Sequence, residues 1–214
     1  MTTDSDAESS RAAVVLAGGH SRRFGSTDKA LASIDGEAML VRVVSRVSTV
    51  VDRVVLSCRA SQRETFEDLL ADAGCAVTIA TDPEPDGGPL LGLCEAVSHV
   101  EAPYVAVVAC DMPGVDPDFL TELFAVAAGR DGVIPHDRDG NPQPTQAVYR
   151  TAAVRGGCNR QLVAGNRGLR DLLESLHVRS LPPVAVEATT DWDSFTNVNT
   201  PAELAAFTRS QGLE

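Results

Sequence analysis

Strand-length apolar runs alternate with segments of helical period along nearly the whole chain. That pattern commits it to a mainly parallel α/β sheet, because parallel strands must be joined by crossovers, usually helical, that cover a face of the sheet. Ala12 to Ala17 reads as the first strand, and Glu37 to Val50 as a helix with Leu40, Val43, Val44 and Val47 on one face. Arg53 to Ser57 returns as a strand, Arg63 to Ala73 is a helix, and Ala76 to Ala80 is the third strand. A helix from Leu90 to His99 leads to Tyr104 to Ala109, a continuous apolar run suited to the centre of a sheet. Asp116 caps the next helix and Pro117 opens it. Gly132 to Pro135 and Thr145 to Tyr149 read as strands around the turn from His136 to Asn141. Gly168 to Ser175 is helical, Val178 to Leu181 and Val184 to Val186 read as short strands, and Thr200 caps a final helix that starts at Pro201. With no repeat or linker in sight, the expected organisation is one domain over residues 12–214 behind an acidic, disordered tail over residues 1–11.

Charge narrows the partners. The formal net charge is -12, from 30 acidic and 18 basic residues, which disfavours a nucleic-acid or anionic-membrane surface. No apolar run reaches membrane-spanning length, and Met1 to Ala12 lacks the basic start and apolar core of a signal peptide, so a cytoplasmic protein is expected. Acid enrichment with lysine nearly eliminated fits solubility in concentrated salt; an ordinary acidic protein is the alternative. Cys58, Cys75, Cys94, Cys110 and Cys158 are scattered without a Cys-x-x-Cys pair. They read as small buried thiols rather than as a zinc site or a disulfide framework.

The chemistry begins after the first strand. Leu16-Ala17-Gly18-Gly19 opens a loop carrying Arg22, Arg23 and Lys29, three cations in eight residues of an acidic chain, and Lys29 is the only lysine. Such a loop presents backbone N–H groups and cations to phosphate. It is not a P-loop, since Ser26 follows Gly25, nor does it have the spaced glycines of a dinucleotide binder. Asp111 lies directly beyond the central strand, where a hard carboxylate suits magnesium. Asp82 has the same strand-end placement within a turn-rich stretch, and either contacts a base or ribose or shapes the turn. Asn197 and Asn199 precede a helix start and by position alone read as caps and turn formers. Cys110 has no adjacent histidine to activate it.

Taken together, Leu16-Ala17-Gly18-Gly19, Ser21-Arg22-Arg23-Phe24-Gly25, Asp28-Lys29, Gly88-Pro89-Leu90-x-Gly92, Cys110-Asp111-Met112-Pro113, Gln143-Pro144-Thr145 and Asn197-Val198-Asn199-Thr200-Pro201 resemble the molybdenum cofactor guanylyltransferase family. The resemblance implies a three-layer α/β sandwich of the nucleoside-diphospho-sugar transferase type. It implies joining of GMP from GTP to molybdopterin with release of pyrophosphate, using Mg2+, and molybdoenzyme maturation proteins as further partners. It places GTP contacts on Leu16, Ala17, Gly18, Gly19, Lys29, Asp82 and Asp111, the metal on Asp111, and the pterin side on Asn197 and Asn199. The catalytic set it implies is Arg23, Lys29 and Asp111. Ser57 stands where relatives often carry an asparagine. Cytidylyl relatives typically show Leu-Ala-Ala-Gly, so Gly18-Gly19 looks like the guanylyl form, with Gly19 expected to make room for the purine. CMP transfer, another small phosphorylated acceptor, or a non-catalytic nucleotide-binding regulator are the competing readings.

Overall fold

The computed structural model describes residues 10–19, 21, 23–24, 28–84 and 87–212. In chain order the elements are β1 (Arg11–Leu16), β2 (Ser33–Ile34), β3 (Glu37–Ala38), α1 (Met39–Ser48), β4 (Arg53–Cys58), α2 (Arg63–Asp72), β5 (Thr78–Thr81), α3 (Pro89–Ser98) and β6 (Tyr104–Ala109). They continue with α4 (Pro117–Ala127), β7 (Gly132–Pro135), β8 (Gln146–Arg150), α5 (Thr151–Val163), α6 (Leu169–Glu174), β9 (Arg179–Leu181), α7 (Pro183–Glu187) and α8 (Pro201–Ser210). Seven strands form one sheet in the order β5-β4-β1-β6-β8-β7-β9, while β2 and β3 make a separate antiparallel hairpin. Only β8 runs against the others, pairing antiparallel with both β6 and β7.

The central strands are apolar throughout because both faces of the sheet are covered. Along β1, Ala13 and Val15 pack with Leu40 and Val44 of α1, Phe66 of α2 and Phe119 of α4. Ala12 and Val14 pack on the other face with Leu90 and Val97 of α3, Val154 of α5 and Leu172 of α6. A third, smaller cluster joins Ile34, Met39, Val198 and Phe207, so the β2–β3 hairpin, the start of α1 and the last helix close over one end.

Topology decides where a ligand can sit. The chain leaves β1 toward β4 and leaves β6 toward β7, on opposite sides, so the loops after these neighbouring strands diverge and open a crevice above the pair. β1 and β6 run in register with Leu16 beside Ala109, which brings the glycine loop and Asp111 to the same edge.

Four sequence expectations need correction. Residues Val184 to Val186 are not a strand but part of the short helix α7: Pro183 occupies its first turn, and Val186 is buried while Val184 is 75% exposed. The helix α5 was not anticipated; Gly156 and Gly157 lie within it and its apolar stripe is thin, so its helical signal in the sequence is weak. The third strand is Thr78–Thr81 rather than Ala76 to Ala80, and Cys75 and Ala76 precede it. Finally, Cys94 and Cys158 are not free thiols: they form a disulfide between α3 and α5, with Cα atoms 5.6 Å apart, because the crossover that returns from β5 to β6 lies beside the helix that follows β8. Cys58, Cys75 and Cys110 are free. Residues 1–9 of the expected tail lie outside the described residues, and Arg11 belongs to β1, its N–H donating to Asp52 at 2.8 Å.

Candidate functional site

Sheet pairing persists one residue beyond β1 and then stops. Ala17 N–H donates to the Ser57 carbonyl at 2.8 Å, while the Leu16 carbonyl accepts from Cys110 N–H at 3.0 Å. Gly18 and Gly19 then turn away from the sheet edge and form one wall of a cavity of about 490 Å³. Its remaining lining comes from Leu16, Ser57, Arg59 and Asp82 beyond the strand ends and from residues 87–89 and Gly92 at the start of α3.

Asp82 is held inside this cavity by close approach. Its Oδ1 accepts from the Ser57 hydroxyl at 3.2 Å. A Cβ on Gly18 would lie 2.8 Å from Asp82 Oδ2, and one on Gly92 would lie 2.7 Å from both Asp82 Oδ1 and Ser57 Oγ. Neither position tolerates a side chain without displacing the carboxylate. Among the described residues nothing lies within 4 Å of a Cβ built on Gly19, so it is Gly18 whose missing side chain makes room for Asp82. Burial pushes the Asp82 carboxyl above the usual carboxylate value; the Ser57 hydrogen bond and the nearby Arg59 charge pull it partly back.

Beside the cavity, Lys29 and Asp111 meet. Lys29 Nζ donates to Asp111 Oδ2 at 2.5 Å and to Asn199 Oδ1 at 2.9 Å, and the lysine and aspartate side chains are only 13% and 14% exposed. The two residues expected to serve different partners, phosphate and metal, are bonded to each other, as opposite charges in a half-dry crevice should be. Asn199 arrives through its neighbour: Val198 N–H donates to the Asp111 carbonyl at 2.8 Å and its side chain fills the small third cluster, which turns the flanking asparagines outward. The Glu203 carboxylate then accepts from Asn199 N–H at 2.7 Å while Thr200 caps α8. Asn199 therefore belongs to the charged cluster, whereas Asn197 is exposed and, among the described residues, reaches only the Phe195 carbonyl, at 3.5 Å.

A supporting network that the sequence did not reveal sits under the loop. Asp28 caps the 3-10 turn Lys29–Leu31, its Oδ1 accepting from Ala30 N–H at 3.1 Å and from the Ser21 hydroxyl at 3.0 Å. Its Oδ2 accepts from Gln62 Nε2 at 2.5 Å and from Arg59 Nη2 at 3.3 Å. Gln62 also donates to the Ala17 carbonyl at 3.3 Å. In the sequence Asp28 stood only as the neighbour of Lys29 in the block Asp28-Lys29, and Arg59 and Gln62 carry no motif.

Other expected members stand apart. Arg23 is exposed on the loop and has no part in the Lys29 cluster, and Arg22 lies outside the described residues. Burial pushes the Cys110 thiol up to about 12 and Cys58 up to about 11, so neither is a nucleophile near neutrality. Among the described residues no three His, Cys, Asp or Glu side chains converge as a metal cage. A magnesium ion does not need one, since it commonly binds one or two carboxylates together with water and substrate phosphates. Asp111 meets that requirement: Oδ2 is shared with Lys29, and Oδ1 accepts no hydrogen bond among the described residues.

The MobA-like NTP transferase domain matches residues 13–180 of this chain. A protein of Haloferax mediterranei named "Probable molybdenum cofactor guanylyltransferase" is 40% identical over 93% of this chain and 93% of its own length. One of the same name from Natronomonas pharaonis is 36% identical over 91% and 95%. The crystal structure of molybdopterin-guanine dinucleotide biosynthesis protein A from Archaeoglobus fulgidus superposes with a TM-score of 0.76 at 27% identity, covering 95% of this chain and all of that one.

Proposed function

This chain belongs to the MobA-like NTP transferase domain family, and from that premise we propose that it transfers GMP from GTP to molybdopterin cofactor, releasing pyrophosphate. The observation that carries the reading is the pairing of a partly buried Lys29–Asp111–Asn199 cluster with a cavity whose far wall presents Asp82 between two obligatory glycines. A nucleotide has the matching polarity. Guanine offers N–H donors to a fixed carboxylate, and its phosphates suit backbone N–H groups and an ammonium.

In this mechanism the protein supplies position and charge rather than covalent chemistry. Asp82, set by Ser57, accepts from the base and so fixes the nucleotide's depth in the cavity. Lys29 stabilises negative charge on the departing pyrophosphate, and Asn199 keeps the ammonium pointing into the crevice. The acceptor's phosphate is already anionic near neutral pH and requires no general base. Asp111 would hold Mg2+, which neutralises charge on phosphate oxygens when bound. Arg23, exposed on the loop, would supply a further cation to the entering triphosphate, and the exposed Asn197 would contact the pterin. Incubating the protein with molybdopterin and each nucleoside triphosphate in turn, then weighing the product, tests the reading. A guanine dinucleotide is expected; a cytosine dinucleotide would move the assignment to the cytidylyl branch, and no dinucleotide from any triphosphate would overturn it.

A further inference from the structure

The cavity has a second charged wall that neither a motif nor the resemblance assigned. We infer that Arg59 contacts the nucleotide's phosphates, acting as the polyphosphate clamp on the cavity side of the glycine loop; this rests on the nucleotidyltransferase reading above. Arg59 follows β4 directly, lines the same cavity as Gly19 and Asp82, and its side chain is 26% exposed. Its guanidinium is under-used. Of its five N–H donors, only those on Nη2 are engaged, with the Gly19 carbonyl at 3.4 Å and Asp28 Oδ2 at 3.3 Å, both long contacts. Among the described residues Nε is buried with no partner and Nη1 makes no hydrogen bond. A dry, unpaired donor is costly, so this placement is worth keeping only if the group serves something else.

Asp28 does not depend on Arg59. Gln62 at 2.5 Å, Ser21 at 3.0 Å and Ala30 N–H at 3.1 Å already satisfy that carboxylate. The cavity also carries both signs of charge. Asp82, wedged against Gly18 and Gly92, disfavours an anion against it, while Arg59, bonded to Gly19 one residue further along the loop, favours one. A ligand with a donor-rich base and an anionic tail offers each of these two groups its complement. Its phosphates can then meet a planar fork that grips two phosphate oxygens at once, a role distinct from that of Lys29 as a point charge.

The test is binding of GTP and of guanosine to the wild-type protein, Arg59→Gln and Arg59→Lys, with thermal melting as a check on folding. Arg59→Gln is expected to weaken GTP on the order of 10-fold to 100-fold while leaving guanosine within about twofold, and Arg59→Lys to recover part of the loss. Equal affinity of wild type and Arg59→Gln for GTP, at unchanged melting temperature, overturns the inference while the nucleotidyltransferase reading stands. Equal loss for guanosine and GTP also overturns it, since Arg59 would then serve the base, the ribose or the cavity's shape. Failure of the wild-type protein to bind GTP overturns the reading and the inference with it.

Discussion

At the scale of single residues, the identity of Lys29 matters more than its charge. Its ammonium fits between Asp111 Oδ2 and Asn199 Oδ1, 2.5 Å and 2.9 Å away, a space a planar guanidinium cannot enter with the same contacts. Steady-state kinetics should therefore show turnover reduced by about 100-fold in Lys29→Ala and only partly restored in Lys29→Arg; full activity in the arginine variant would show that any cation suffices. Asp82 poses the opposite problem, a group whose function costs stability. Its pKa is raised in the folded protein, so folding favours the protonated form, and stability is lost as pH rises from the unfolded value through the folded one. At neutral pH the ionised carboxylate is thus a net cost. Asp82→Asn is expected to melt at the same temperature or higher at pH 7, with the gain shrinking as the pH is lowered toward 4, while GTP affinity falls by about tenfold or more. A variant that melts lower at pH 7 than at pH 4, relative to wild type, would contradict this account.

Among the elements, legibility followed the physics of each segment. β1 and β6 were readable because burial on both faces leaves an uninterrupted apolar run, and α4 because Asp116 and Pro117 mark its start. α5 was not readable, since Gly156-Gly157 and a thin stripe give a weak helical signal and the helix forms by packing on its neighbours. α7 was misread because two valines two positions apart mimic a strand's alternation. The disulfide joining α3 to α5 escaped because spacing says nothing about two cysteines 64 positions apart. Thiol counting on the unfolded protein should find three free cysteines without reductant and five after reduction. Reduction, or Cys158→Ser, is expected to lower stability by about 2 to 4 kcal/mol, seen as a lower denaturant midpoint. Five reactive thiols without reductant would refute the cross-link.

For the molecule as a whole, the site was legible where residues sit at strand ends and illegible where distant side chains prop one another. Asp82 and Asp111 declared themselves by position beyond β5 and β6. Arg59 and Gln62 reach Asp28 across 31 and 34 positions and could be found only in three dimensions. Net charge is a property of the same scale. At -12, self-repulsion opposes the compact state, and exposed ion pairs such as Arg63–Glu67 contribute too little to offset it. Raising potassium chloride from 0.05 M to 1 M should therefore raise the melting temperature, because screening weakens repulsion more than it weakens these pairs; a fall in melting temperature would contradict it.

The hydrogen bond between Lys29 and Asn199 spans 170 positions of sequence. During synthesis at about 5 to 20 residues per second, the amide emerges from the ribosome roughly ten to thirty seconds after the ammonium. Once the helix Pro89–Ser98 has emerged, a growing chain contains every segment that lines the cavity, yet until the C-terminal segment arrives its ammonium lacks the Asn199 partner. A chain terminated before Asn199 would therefore hold all the cavity-lining residues while lacking one of the two side chains that position Lys29.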